Sequence, residues 1–185
     1  MAMNKHFMEI RRHYDEFHRF LLRKGRLPMK DTGIGYWGIS PLNEVFEILT
    51  AARLERYKSF IDLGSGDGRV VMLASLFTKA EGIEADPWLH SVAMRIKGRL
   101  STIPGIKNAK LHHKDFMSHD LSRYDLLFMH PDKPLYRGLE PKLRNEMRGK
   151  LLVYGHHFHP CSLKKEVGFQ SGMGVATIYA NPLNK

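Results

Sequence analysis

The stretch FIDLGSGDGRVVMLAS, residues 60–75, decides how the rest of the chain is read. A β-branched and aromatic run ends at Asp62, glycines follow at 64, 66 and 68, and Val70, Val71, Leu73 and Ala74 then space as a buried helix. That is a strand, a turn and a helix. Glycines in such a turn reach positive φ without strain and let the backbone approach a ligand closely. The acids narrow the ligand. A dinucleotide fingerprint presents its turn to a pyrophosphate, which Asp62 and Asp67 beside the turn would repel, and no Gly-Lys-Ser/Thr ending is present to make a phosphate loop. A ligand carrying an ammonium, or a sulfonium and hydroxyls, suits the turn, and S-adenosylmethionine fits that description.

Outward from this stretch, strands and helices alternate. AEGIEAD at 80–86 reads as a second strand ending in Glu84, and Asp86-Pro87 caps a helix that runs to about Arg99. AKLHHK leads as a third strand to Asp115-Phe116, and YDLLFMHP at 124–131 is a fourth. A helix from Leu135 to Arg148 and the strand KLLVYGHHF follow; then KKEVGFQ and GVATIYAN flank Ser171-Gly172 as a hairpin. The expected fold is α/β: a Rossmann-like, doubly wound sheet, mostly parallel, with a C-terminal antiparallel hairpin and an N-terminal helical extension. Ligands of such sheets bind at the carboxyl ends of the strands, where Asp62, Glu84, Asp115 and His130 all fall.

Upstream, Phe7, Ile10, Tyr14, Phe17 and Leu21 recur at helical spacing among arginines, a basic amphipathic helix over residues 3–24. Residues 25–39, with Gly25, Pro28, Gly33, Gly35 and Gly38, read as a loop holding Tyr36 and Trp37. Ser40 is expected to cap the next helix with Pro41 as its first residue. The division that follows is residues 1–30 as a basic helical extension and 31–185 as a cofactor-binding domain.

At 185 residues the chain suits one domain with a sizeable core, and no apolar run approaches a membrane span. The start lacks the hydrophobic core of a signal peptide, so a cytoplasmic location is expected. A single cysteine, Cys161, offers neither a disulfide nor a paired-Cys metal motif. The net charge of +10 implies an acidic partner: nucleic acid, an anionic membrane face met by the N-terminal helix, or an acidic protein surface. The runs His112-His113 and His156-His157-x-His159 invite a metal, but neighbouring histidines on a strand point to opposite faces, and no metal site is expected.

Glu84 lies about twenty residues past the glycine turn, where a carboxylate accepts from ribose hydroxyls; Asp115 suits an adenine amine and Phe116 its ring. With Asp62, Gly64, Ser65, Gly66, Asp67, Gly68 and His130 these make the expected cofactor site. Taken together, the motifs resemble the class I, seven-stranded methyltransferases that use S-adenosylmethionine. DLGSGDGRVV, GIEADPWL, KDF and LEPKLRNEMRGKLLVYGHHF resemble in particular the small protein-lysine methyltransferases, archaeal and mitochondrial, over about Tyr36 to Asn181. The glycine motif is shared by many methyltransferases; the narrower likeness rests on the second half.

The resemblance implies methyl transfer to lysine side chains of proteins. It puts GYWGISPLNEV where that family has a Tyr-Val-Pro-Thr-Pro segment covering the cofactor, although Trp37-Gly38-Ile39 departs from that pattern and the tryptophan expected after the fifth strand is missing from HHFHPCS. Tyr36, Trp37, His130, Asp132 and Tyr136 are the candidates for the acceptor channel. Two alternatives stay open: an RNA methyltransferase, favoured by the charge, and a non-catalytic module that binds S-adenosylmethionine. HPDKPLY at 130–136 is not the Asn/Asp-Pro-Pro-aromatic signature of amino-methylating nucleic-acid enzymes.

Overall fold

A computed structural model describes residues 2–135 and 138–184. In chain order these form α1 (Ala2–Arg23), β1 (Met29–Asp31), β2 (Tyr36–Gly38), α2 (Leu42–Ala51), β3 (Ser59–Leu63), α3 (Arg69–Ala74), β4 (Lys79–Glu84) and α4 (Pro87–Arg99). There follow β5 (Lys110–His113), β6 (Leu126–Met129), α5 (Leu139–Glu146), β7 (Lys150–Tyr154), β8 (Lys164–Ser171) and β9 (Gly174–Ala180).

Central strands sandwiched between helices must be apolar on both faces. That is why β3 is buried from Phe60 to Leu63 and β6 throughout. The seven-stranded sheet runs β5-β4-β3-β6-β7-β9-β8. Its first five strands are parallel, and β9 enters antiparallel against β7 with β8 outside it. This is the mostly parallel, doubly wound sheet with a C-terminal antiparallel hairpin expected from the alternation. One apolar layer joins α1, α2, α3 and α4 to the sheet through Ile10, Tyr14, Val45, Leu49, Val71 and Phe128; the other packs Leu139, Leu143 and Met147 on Ile61, Leu127 and Leu151.

The stripe of α1 faces inward. Ile10, Tyr14 and Leu21 are all 2% exposed or less, so the basic amphipathic helix lies on the domain with its arginines outward. Burying side chains of that size contributes about 1.5–3 kcal/mol each, which is ample to seat a helix.

Local expectations needed revision in several places. Residues 25–39 are not all loop: β1 and β2 pair antiparallel, Met29 with Gly38 and Asp31 with Tyr36, around the turn at Gly33 (φ 82°). The next helix starts at Leu42 rather than Pro41: Pro41 takes the cap position, where it has no side-chain acceptor to offer, and the Ser40 hydroxyl is engaged by His130 instead of capping. The helix expected from Leu135 occupies only Leu139–Glu146 of the described residues, and the fifth parallel strand ends at Tyr154 rather than reaching Phe158. By contrast, Asp86 caps α4 as its sequence implies, its side chain accepting from Leu89 N at 2.9 Å ahead of Pro87.

Candidate active site

Parallel strands all deliver their C-terminal residues to one edge of the sheet, so side chains far apart in sequence converge there. Asp62 ends β3 but for one residue, Glu84 ends β4, Asp115 follows β5 and His130 follows β6. All four line a cavity of about 500 Å³, together with Gly64, Ser65, Gly66, Asp67 and Phe116. The hairpin contributes Tyr36 and Trp37 to its wall, and the segment after β6 contributes Asp132. Gly68 is not in the wall: a Cβ there would stand 2.9 Å from the Ala93 Cβ, so this glycine lets α3 start against α4. Tyr136, expected in the acceptor channel, lies outside the described residues.

Each acid has a different task. Glu84 is 8% exposed and splints the glycine turn, one oxygen accepting from Gly66 N at 2.8 Å and the other from Asp86 N at 2.7 Å. A carboxylate oxygen has a second lone pair, so each remains able to accept from a ligand hydroxyl. Asp67 lines the cavity but spends its charge on Arg69, whose Nη2 reaches Oδ2 at 2.6 Å and whose Nε reaches Oδ1 at 3.0 Å. Tyr14 of α1 donates to the Asp67 carbonyl at 3.1 Å, and the Arg69 guanidinium lies 5.1 Å over its ring. The N-terminal helix is thus wired to the turn. Burial pushes the Tyr14 phenol well above its ordinary pKa, which keeps it a donor.

Asp62 is the unbalanced one. It is 3% exposed and takes no hydrogen bond among the described residues. Burial first, then the neighbouring charges of Glu84 and Asp67, raise its pKa well above that of a free carboxyl. A buried carboxylate facing a cavity with no partner of its own is built for a cationic ligand. Asp115 is exposed and uses one oxygen to accept from Met117 N at 2.8 Å, leaving the other free, while Phe116 is half-buried beside it.

Over the turn sits the hairpin. A Cβ on Gly66, whose φ is +55°, would come within 2.6 Å of the Trp37 ring, so the indole packs directly on the glycine backbone and only glycine allows it. The hairpin is tethered across the cavity: Tyr36 N donates to the Asp132 carboxylate and Lys133 Nζ to the Ile34 carbonyl. On the other side, Lys30 pairs with Asp86. His130 is accessible from the cavity, its Nδ1 is 3.0 Å from the Ser40 hydroxyl, and its ring stands edge-on to Tyr154 at 4.8 Å. The protein around it lowers its pKa, and Asp132 offsets that only partly, so the imidazole is neutral at pH 7.

Ser40, Arg69 and Lys133 were not expected in the cavity wall. Arg69 follows the turn by one residue and could have been paired with Asp67 from their spacing alone; for Ser40 and Lys133 nothing local points to the site, since each reaches it through a tertiary contact. The S-adenosylmethionine expected from sequence has a fitting place here: an unpaired acid for its cationic methionine end, Glu84 for ribose hydroxyls, and Asp115 with Phe116 for the adenine.

Residues 62–166 match the model of a family described as the ANTKMT methyltransferase domain. No curated protein matches the sequence. Among solved structures, an RNA methyltransferase from Salinibacter ruber in complex with S-adenosyl-L-homocysteine is 20% identical with a TM-score of 0.68, covering 80% of this chain and 95% of that one. Mitomycin 7-O-methyltransferase MmcR is 10% identical with a TM-score of 0.62, over 74% of this chain and 52% of that one. A mutant of MtNAS in complex with S-adenosylmethionine is 12% identical with a TM-score of 0.59, over 74% and 61%. Likeness at these identities speaks for the fold.

Proposed function

This chain belongs to the family of ANTKMT methyltransferase domains and takes S-adenosylmethionine as its cofactor, and on that premise we propose that it methylates lysine side chains of protein substrates. When bound, the cofactor supplies a methyl group on a positively charged sulfur, an electrophile ready for in-line displacement. What the chain must supply is position and a free amine. A lysine ammonium with a pKa near 10.4 is neutral only in about one part in a thousand or less at pH 7, so the acceptor has to lose a proton before its nitrogen can attack.

The observation that carries this reading is the mouth of the cavity. The exposed Tyr36 ring, the Asp132 carboxylate and the neutral His130 imidazole stand around it. An aromatic face and an acid attract an ammonium. In the tautomer whose Nδ1–H donates to the Ser40 hydroxyl, Nε2 of His130 is left to take the ammonium proton. Asp132 also anchors the hairpin, so acceptor binding and closure of the cavity share a residue.

The net charge of +10 favours a second reading, transfer to RNA. Incubating the protein with cell lysate and methyl-labelled S-adenosylmethionine separates the two. Label that survives ribonuclease and is lost on protease digestion supports lysine transfer; the reverse overturns it. Cofactor binding without transfer to any fraction would leave a binding module.

A further inference from the structure

The crossover from β5 to β6 carries only a one-turn helix, Phe116–Ser118, and its chain, residues 114–125, folds back over the face of β4 and β5. A polar cluster fills that place. Glu81 and His112 project from the same face because Ile83 pairs with His112 and Glu81 lies two residues along β4 from Ile83. His119 and Tyr124 come down on them from the crossover. Nε2 of His112 is 2.7 Å from Glu81 Oε2, the Tyr124 hydroxyl donates to that same oxygen at 2.9 Å, and Nε2 of His119 is 2.8 Å from the hydroxyl. The metal-binding atoms of Glu81, His112 and His119 all lie within 4.8 Å of one another. None of these residues lines the cofactor cavity, and Glu81 stands three residues back along β4 from Glu84, about 10 Å at strand rise.

A cation already sits against one side of this group. Nη2 of Arg123 sits 3.1 Å from His119 Nε2, 3.1 Å from the Tyr124 hydroxyl and 3.9 Å from Glu81 Oε2. In the tautomer that carries its proton on Nδ1, His119 Nε2 accepts from Arg123 and turns its lone pair into the cluster. The Arg123 side chain is 55% exposed, so it can swing out into solvent without unmaking any core. Two imidazole nitrogens and one carboxylate oxygen are the donor set of Zn(II) and its borderline neighbours, not of Mg(II) or Ca(II), which require oxygen ligands.

We propose that Glu81, His112 and His119 form a site for a borderline divalent transition metal, Zn(II) by chemistry, with Arg123 holding the place of the ion in its absence. On metal binding the Glu81–His112 hydrogen bond opens, the His112 proton moves to Nδ1, and Arg123 leaves. Tyr124 stays within reach as a further oxygen or as a hydrogen-bond partner for Glu81. The ion would staple the crossover to the outer strands of the sheet, as structural zinc sites do. The sequence argued against a metal because His112 and His113 diverge. They do diverge: His113 turns to stack on His90 at 5.1 Å, and the partners of His112 come from β4 and from the crossover instead.

The test is titration of the full-length protein with Zn(II) by calorimetry, and with Co(II) by its visible ligand-field bands. The expected result is one saturable site per chain, weakened about tenfold or more in Glu81→Gln, a substitution that keeps size and shape, and lost in His119→Ala. Arg123→Ala is expected to bind the metal about tenfold tighter, the scale of one charge-assisted hydrogen bond no longer surrendered. A folding defect cannot produce that gain. A His156→Ala/His157→Ala variant is expected to bind as the parent does. The proposal is overturned by the absence of saturable binding, by binding that Glu81→Gln leaves unchanged, or by an Arg123→Ala variant that binds no tighter than the parent.

Discussion

Replacing Asp62 by asparagine should stabilise the protein and weaken its cofactor binding at once. The side chain is 3% exposed, it has no hydrogen-bond partner among the described residues, and the charges of Glu84 and Asp67 face it. Burial and then those charges raise its pKa, so the folded state holds the Asp62 proton more tightly than the unfolded state does. Stability is therefore unaffected below the unfolded value near 3.9, falls as pH rises from there to the folded pKa, and stays lower above it. Asparagine keeps the shape and removes the charge.

Asparagine is left without a partner too, so the gain is the cost of the buried charge alone, about 1.4 kcal/mol for each tenfold by which folding tightens the Asp62 proton, and for a chain of this length each kcal/mol corresponds to about 2–4 °C in Tm. Asp62→Asn should thus melt higher than the parent at pH 7.5, with the difference vanishing toward pH 4. Calorimetric titration should show the opposite for the ligand. Loss of a charge-assisted contact to the cationic end of S-adenosylmethionine, about 1.5–3 kcal/mol, raises Kd by about 10- to 100-fold. The parent should also bind more tightly as pH rises toward the folded pKa of Asp62, with proton release, and the variant should lack that dependence. A variant that melts lower and binds as well as the parent would refute the assignment of Asp62 as the unpaired counter-charge.

Glu84→Gln leaves one of two backbone N–H groups, Gly66 or Asp86, without an acceptor, so Kd for S-adenosylmethionine should rise about 10- to 100-fold by calorimetry; an unchanged Kd would remove Glu84 from the site. Arg69→Met strands the Asp67 carboxylate at 1% exposure and should cost about 3–5 kcal/mol in denaturant unfolding, much of it regained when Asp67→Asn is added. A stable single variant would mean the pair contributes little. His130→Gln should lower kcat by about 10²- to 10⁴-fold at pH 7 while the Kd for the cofactor changes less than about threefold, and the defect should shrink toward pH 10, where a lysine acceptor is already neutral. In the parent, activity should fall as pH drops through the lowered pKa of His130, below the ordinary imidazole value, and a profile without that limb would argue against it.

The features legible in the chain were those whose physics is local. Asp62 at a strand end, glycines where φ is positive, Glu84 closing the next strand and Asp86-Pro87 capping α4 are all set within a few residues of each other, and the sheet topology follows from the alternation they mark. The β1–β2 hairpin was hidden because strands of three residues are too short to show a period and the glycines between them read as loop; only the pairing of Met29 with Gly38 makes them strands. Ser40 was read as a helix cap, a role its type and position suit, but a tertiary contact to His130, ninety residues away, took its hydroxyl. Asp67 was grouped with the ligand acids, yet a residue two positions on supplies its counter-ion. At the Glu81 cluster only His112 was legible, as half of a histidine pair; Glu81 meets it across β4 and β5, and His119 and Tyr124 reach it only through the fold of the crossover.

The most direct measurement of the acceptor chemistry is amino-acid analysis after transfer. Lysate protein labelled by the enzyme with methyl-labelled S-adenosylmethionine is hydrolysed in acid and separated against standards. The expected result is label co-migrating with mono-, di- or trimethyllysine, reduced about 10- to 100-fold when Asp62→Asn replaces the parent at limiting cofactor. Label recovered in methylated nucleosides, in methylarginine, or in no product at all would contradict it.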